Sequence, residues 1–136
     1  MLFKRSGMLI LVFILIVTGC VKHTEKSYGA STDEWQFIYE TYVEEKEAKY
    51  IIHEKMVARY IGSEASLPNE ALNIVFKSNY TEMWFSDDIN LTETDQRVFE
   101  LSGSITISSL PEVPYINANI VTGSSVETIR LLELEN

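Results

Sequence analysis

Apolar and polar residues alternate along much of the second half of the chain, with the two-residue period of a half-buried β-strand. The clearest run is residues 99–107, whose apolar side is formed by Phe99, Leu101, Ile105 and Ile107. Further runs, the last two joined by a short glycine-containing turn, cover residues 72–77, 80–85, 116–121 and 126–134. Two β-type runs joined by such a turn are typical of a hairpin. We therefore predict strands throughout this half, with the four apolar side chains of residues 99–107 pointing inward.

The first half of the chain is ambiguous between strand and helix. Residues 35–43 alternate as a strand does, but their apolar positions also fit helical spacing, and Ser31 and Glu34 could form a capping box. Residues 46–61 alternate with one lapse at Glu54, while their Ala, Lys, Glu and Met content would suit a helix. Two strands are favoured here, and the alternative is one long helix over residues 34–61.

The N-terminal residues follow a different pattern. Lys4 and Arg5 precede an apolar run at residues 8–17, which closes with Val17-Thr18-Gly19-Cys20. A basic start, an apolar stretch too short for a well-flanked membrane span and small residues at its end predict a secretory signal. The alternatives are a signal peptide without lipidation and an uncleaved anchor helix, for which the apolar run is short.

The motif at residues 17–20 resembles the lipobox of bacterial lipoproteins. The resemblance implies cleavage after a signal peptide at residues 1–19 and attachment of a diacylglyceryl group to Cys20. It also implies a location at the cell membrane, on its extracytoplasmic side. Cys20 is the only cysteine in the chain, so a disulfide does not explain it.

The remainder divides into a short polar segment and one domain. Residues 20–32 contain few large aliphatic side chains, so we expect the lipidated cysteine followed by a flexible tether. Residues 33–136 suit a single all-β domain, an antiparallel immunoglobulin-like sandwich of about seven strands. The pattern is similar to small β-sandwich modules of bacterial lipoproteins, on the basis of Trp35, Tyr60-Ile61-Gly62 and the closing Glu127-Thr128-Ile129-Arg130-Leu131. That resemblance implies no known active site.

The chain is strongly acidic, with a formal net charge of −9, and removal of residues 1–19 would also remove Lys4 and Arg5. An acidic protein is repelled by phosphate backbones, so a nucleic-acid partner is disfavoured. The charge predicts instead a basic protein or a cell-envelope component as partner, in addition to the membrane that the lipid on Cys20 would enter.

Residues that could carry out catalysis or bind metal are few. The two histidines are His23, in the predicted tether, and His53, and no nucleophile motif accompanies them. Residues 86–95 are rich in oxygen ligands but have Glu93 and Phe99 where a calcium-binding EF-hand loop needs Gly and Glu. We therefore predict that the protein is not an enzyme and uses no cofactor or metal.

The leading interpretation is a membrane-anchored binding module of unknown ligand. The alternatives are a small carrier of hydrophobic ligands and an enzyme whose site is not recognisable. The aromatic-rich run at residues 80–85 adjoins an acidic segment, so we predict a contact face that contains Trp84, Asp87 and Asp88.

Overall fold

The computed structural model describes residues 22–111 and 115–135. The predicted signal peptide and Cys20 lie outside the described residues. Apart from a single turn of 3₁₀-helix at Glu64–Ser66, the regular structure of these residues is entirely β. Its nine strands are β1 (Lys22–Ser31), β2 (Trp35–Lys46), β3 (Lys49–Tyr60), β4 (Asn73–Ser78), β5 (Glu82–Trp84), β6 (Val98–Ile107), β7 (Ile116–Thr122), β8 (Ser125–Arg130) and β9 (Leu132–Glu133). Within the described part of the chain, no helix is both long enough and apolar enough to cross a membrane.

The strands form two antiparallel sheets. One has the order β6-β3-β2-β1-β9 and the other the order β5-β4-β7-β8. Aromatic side chains fill the space between them, and the rings of Phe37 on β2 and Phe76 on β4 meet edge to face with centroids 5.9 Å apart. The all-β prediction is therefore confirmed.

The finer immunoglobulin-like prediction is not confirmed. The described residues contain nine strands, and β2 and β3 are neighbours in one sheet. In the immunoglobulin constant-type order, the second and third strands belong to opposite sheets. The long β2–β3 hairpin thus makes this arrangement different from the expected one.

Residues 35–60 form two strands, so the alternative of a long helix is wrong. Inward-facing side chains alternate along β2, where Trp35, Phe37 and Tyr39 are buried. Glu47 and Ala48 connect the strands with φ of 53° and 60°, a left-handed conformation that favours Gly, Asn or Asp. The turn therefore carries no clear signal in the sequence, which is why the helix remained an alternative.

Residues 22–31 form a strand, so the prediction of a flexible tether over residues 20–32 is wrong for this segment. β1 pairs with β2 along its whole length, from Lys22 opposite Glu45 to Ser31 opposite Gln36. Tyr28 is buried against Tyr39, with ring centroids 6.1 Å apart. Composition reports only how much apolar surface a segment carries, whereas β1 is stabilised by the free edge and the apolar face that β2 offers.

The inward orientation predicted for residues 99–107 is confirmed most fully at Phe99. Its ring is buried and packs edge to face on Phe85, with centroids 6.0 Å apart. The side chains of Leu101, Ile105 and Ile107 follow on the same face and are half-buried. β6 is an edge strand, so its inner face is only partly covered.

Truncation of the β1 aromatic residue tests whether residues 22–31 belong to the folded domain. We expect Tyr28→Ala to lower the free energy of unfolding by about 3 kcal/mol, the scale of losing a buried aromatic ring. The control Glu25→Ala changes an exposed side chain of the same strand, and its effect should stay within about 0.5 kcal/mol. Urea denaturation measures the free energy of unfolding of both variants. Equal changes in the two would indicate that residues 22–31 are a flexible tether after all.

Candidate functional site

The three residues predicted to form a contact face lie at the end of β5 and in the loop that follows it. Trp84 ends β5, and 57% of its side chain is exposed. Asp87 and Asp88 are exposed in the loop that follows, where Asn73 Nδ2 donates a hydrogen bond of 3.1 Å to Asp88 Oδ1. Trp84 and Asp88 line different surface depressions. Of the predicted residues, Trp84 therefore marks the more developed site.

Trp84 lines a cleft of about 320 Å³ between the edge strands of the two sheets. This β5–β6 cleft is lined by Glu54, Glu82, Met83, Trp84, Leu101 and Gly103, together with neighbouring polar residues. Met83 and Leu101 pack against the core, and the contact between Phe85 and Phe99 holds the two edges together. The cleft therefore has a rigid apolar floor and a polar rim.

Gly103 keeps the cleft open. It lies opposite Glu54 in the pairing of β3 with β6. A Cβ atom at this position would lie 3.5 Å from Met83 Cε, an ordinary contact distance. A side chain here would fit the fold but would extend into the space that the cleft now provides.

Glu54 is a carboxylate on the inner face of the five-stranded sheet, and it is 4% exposed. Thr41 on β2 and Gly103 on β6 flank it in the sheet. The hydroxyl of Tyr39 donates a hydrogen bond to Glu54 Oε1. The ion pairs formed among the described residues do not include Glu54.

The environment of Glu54 favours its neutral form. Burial raises the pKa of the Glu54 carboxyl, and the hydrogen bond from Tyr39 opposes this in part. Burial also raises the pKa of Tyr39, and the bond to Glu54 adds to that effect. Burial and the charge of Glu54 raise the pKa of Tyr80. A cation bound in the cleft would stabilise the charged form of Glu54 and would offset the free-energy cost of ionising this buried carboxyl.

A second depression lies on the outer face of the five-stranded sheet and has a volume of about 360 Å³. Its lining includes Tyr42 and His53, whose rings lie 5.8 Å apart, while His53 Nε2 lies 3.5 Å from Glu44 Oε2. About half of the His53 side chain is exposed, so water competes strongly for these groups. No three His, Cys, Asp or Glu side chains in the described ranges could together hold a metal ion.

Sequence reasoning missed three central residues of the β5–β6 cleft, namely Glu54, Met83 and Gly103. One signal was present, because Glu54 is the single lapse in the alternation of residues 46–61. A charged residue at an inward position of a strand is rare unless it is paired or functional. Met83 and Gly103 carried no comparable signal, since each is ordinary in a strand near a sheet edge.

Comparisons of the chain with models of protein families, with curated proteins and with solved structures found no match. The evidence about function therefore comes from the residues of the β5–β6 cleft and their geometry. Within the cleft, a buried carboxylate, an exposed tryptophan and a gap at a glycine lie together. These groups suit the binding of a ligand that combines positive charge with apolar surface.

The buried carboxylate has a consequence for stability. Folding raises the pKa of Glu54, so the native state holds this proton more tightly than the unfolded chain does. The resulting stabilisation is present below the ordinary carboxyl pKa of 4.5 and is lost as the pH rises through the pKa of the folded state.

Glu54→Gln removes the charge but keeps an acceptor for Tyr39. We expect the variant to lose less stability than the wild type as the pH rises from 4.5 to about 7.5.

Urea denaturation at both pH values measures this difference. The control Glu127→Gln removes an exposed charge on β8 and should keep the wild-type pH dependence. If Glu54→Gln followed the wild-type pH dependence too, the carboxyl would not be titrating in a buried environment.

Proposed function

We propose that this protein is a membrane-anchored extracytoplasmic lipoprotein that acts as a binding module, and that the β5–β6 cleft is its contact site for a basic partner. The observation that carries the proposal is the buried Glu54 carboxylate, which takes part in none of the ion pairs formed among the described residues and lines the same cleft as the exposed Trp84. The lipid anchor is supported by the sequence around Cys20.

The start of β1 supports a close attachment to the membrane. A single residue separates Cys20 from Lys22, where β1 begins, and two peptide units span at most about 7 Å. Lys22 lies opposite Glu45, beside the β2–β3 turn. A lipid on Cys20 would therefore hold this end of the domain against the bilayer. The domain would then be held at a fixed distance from the bilayer and would not be attached through a flexible tether.

The height of the cleft above the membrane follows from strand register. Lys26 pairs with Thr41, which pairs with Glu54, which pairs with Gly103. Lys26 lies four residues beyond Lys22, which corresponds to a rise of about 13 Å. The cleft would therefore face partners that are themselves close to the membrane surface.

Charge complementarity supports a basic partner. Glu54 lines the cleft and is in none of the ion pairs formed among the described residues, whereas Glu82 is paired with Lys77 Nζ at 3.8 Å. The whole chain carries a formal charge of −9. A lysine or arginine of a partner could reach Glu54 past Met83, while a neighbouring partner residue could contact the ring of Trp84 on the outward face of β5. Long-range attraction of this kind accelerates association and weakens as salt increases.

The close packing of the aromatic core favours a binding module over a carrier of hydrophobic ligands. A carrier needs an enclosed apolar cavity. Between the described parts of the two sheets, the space beside Tyr39 and Phe76 is too small for a water molecule, and the pocket of about 160 Å³ beside Tyr80 is lined in part by the polar side chains of Lys26 and Thr41. Action by binding rather than by turnover is part of the proposal.

The lipid anchor is tested by mass spectrometry of the membrane fraction. We expect the mature protein to begin at Cys20 and to carry acyl chains, because a thiol at the end of a lipobox-like motif accepts diacylglyceryl. Cys20→Ala should abolish both cleavage before this position and membrane attachment, while the nearby surface substitution Ser27→Ala should leave both intact. An unmodified Cys20 thiol on a released form would refute the anchor.

The contact site is tested by photo-crosslinking in the membrane. A photoreactive amino acid in place of Trp84 should form adducts with a partner, and their yield should fall as salt is raised because the attraction is electrostatic. Val126 is the matched control, since it is 59% exposed on the opposite edge of the same sheet, against 57% for Trp84. Equal adduct yields at the two positions would remove the cleft as the contact site.

A further inference from the structure

The edges of the two sheets are protected unequally. An open strand edge is a template for pairing with another chain, and proteins blunt such edges by shortness, charge or proline. β5 has three residues and β9 has two. β8 carries Glu127 and Arg130. Each of these three edges thus has one of the usual protections.

The β6 edge has none of these protections over most of its length. The strand has ten residues, and its last seven, residues 101–107, contain neither a charged residue nor proline. Ser102, Gly103 and Ser104 are exposed in its middle. On its other side β6 pairs with β3 over ten positions. The unprotected edge also forms one wall of the β5–β6 cleft.

We propose that an extended segment of a basic partner adds to β6 as a further strand and directs a lysine or arginine side chain across Gly103 to Glu54. The proposal rests on the proposed function of the cleft and deepens it. Backbone hydrogen bonds to β6 would supply affinity, and the basic side chain would supply specificity, as in other cases of strand addition.

The register makes this contact possible. A residue of the added strand opposite Gly103 would share its inward-facing side, as Glu54 does on β3. The added strand and β3 would lie two strand spacings apart, about 10 Å. A long basic side chain and Glu54 can meet across that span only because Gly103 has no side chain between them. Met83 and Trp84 would flank the incoming chain.

A basic partner fits this edge better than a second copy of the same protein. β6 contains Glu100 but no lysine or arginine, so self-pairing through β6 would bring no cation to Glu54. Two copies would also repel each other, since the chain carries a formal charge of −9 even before residues 1–19, which contain Lys4 and Arg5, are removed. The charge of the cleft therefore selects a positively charged occupant.

The test uses the full-length lipidated protein in detergent micelles and a synthetic probe peptide, Thr-Val-Thr-Lys-Thr-Val-Thr, in which lysine and valine share one face. Hydrogen exchange followed by mass spectrometry reports on residues 98–107. We expect the peptide to slow exchange in β6. A version with glutamate in place of lysine should bind at least about tenfold more weakly, because it would place a like charge beside Glu54. A version with central proline should not protect β6, because proline cannot complete the ladder.

Two variants test the role of the cleft. Glu54→Gln should weaken binding of the lysine peptide at least about tenfold by removing the buried charge. Gly103→Lys should abolish binding of the lysine peptide. The introduced side chain would fill the gap at residue 103, and its ammonium group would reach Glu54 in place of the peptide lysine. Glu127→Gln on the β8 edge should bind as the wild type does.

Three outcomes would overturn the proposal. One is binding of the peptide without protection of β6, and another is equal binding of the lysine and glutamate peptides. The third is a concentration-dependent dimer that protects β6 without peptide, which would identify a second copy as the occupant. If any of these occurred while crosslinking at Trp84 persisted, strand addition would fail and the proposed function of the cleft would stand.

Discussion

Ring packing between the two sheets holds this domain together. Phe76 on β4 meets both Phe37 and Tyr39 of β2, with centroid distances of 5.9 and 6.5 Å. The chain has a single cysteine, so an internal disulfide cannot share this role. Aromatic pairs stabilise through the apolar area they bury and through their relative orientation. The same contacts place the Tyr39 hydroxyl beside Glu54, so the geometry of the cleft depends on the core.

Burying the Glu54 carboxylate lowers the stability of the fold, so its presence in the core points to a role other than stability. Removing a carboxylate from water costs several kcal/mol unless it is paired or neutralised. The hydrogen bond from Tyr39 offsets part of this cost, and burial raises the pKa of the group so that its neutral form is favoured. An apolar residue at this position would pack more stably. The carboxylate therefore fits a role in binding better than a role in stability.

The cleft exists because two sheets of different width meet at unequal edges. β5 is short and covers only part of the inner face of β6. The result is a gap in which backbone, an exposed tryptophan and a buried carboxylate lie together. At the opposite side, β8 leads through Leu131 directly into β9, which pairs with β1 and joins the two sheets. The asymmetry places the open edge and the acidic site on the same side of the domain.

The sequence by itself determined the all-β class and the inward face of residues 99–107, because alternation with period two is a local property. It also provides the whole basis for expecting a lipid on Cys20. The pairing of β1 with β2 was decided only by tertiary structure. The residues of β1 are mostly polar, so their composition does not predict a strand, and the edge of β2 that stabilises β1 exists only in the folded protein. The left-handed turn at Glu47 and Ala48 likewise depends on the strands it connects. The cleft is the feature that the sequence predicts least. Glu54, Met83 and Gly103 lie far apart in the chain, and they meet only when β5 and β6 become the facing edges of the two sheets.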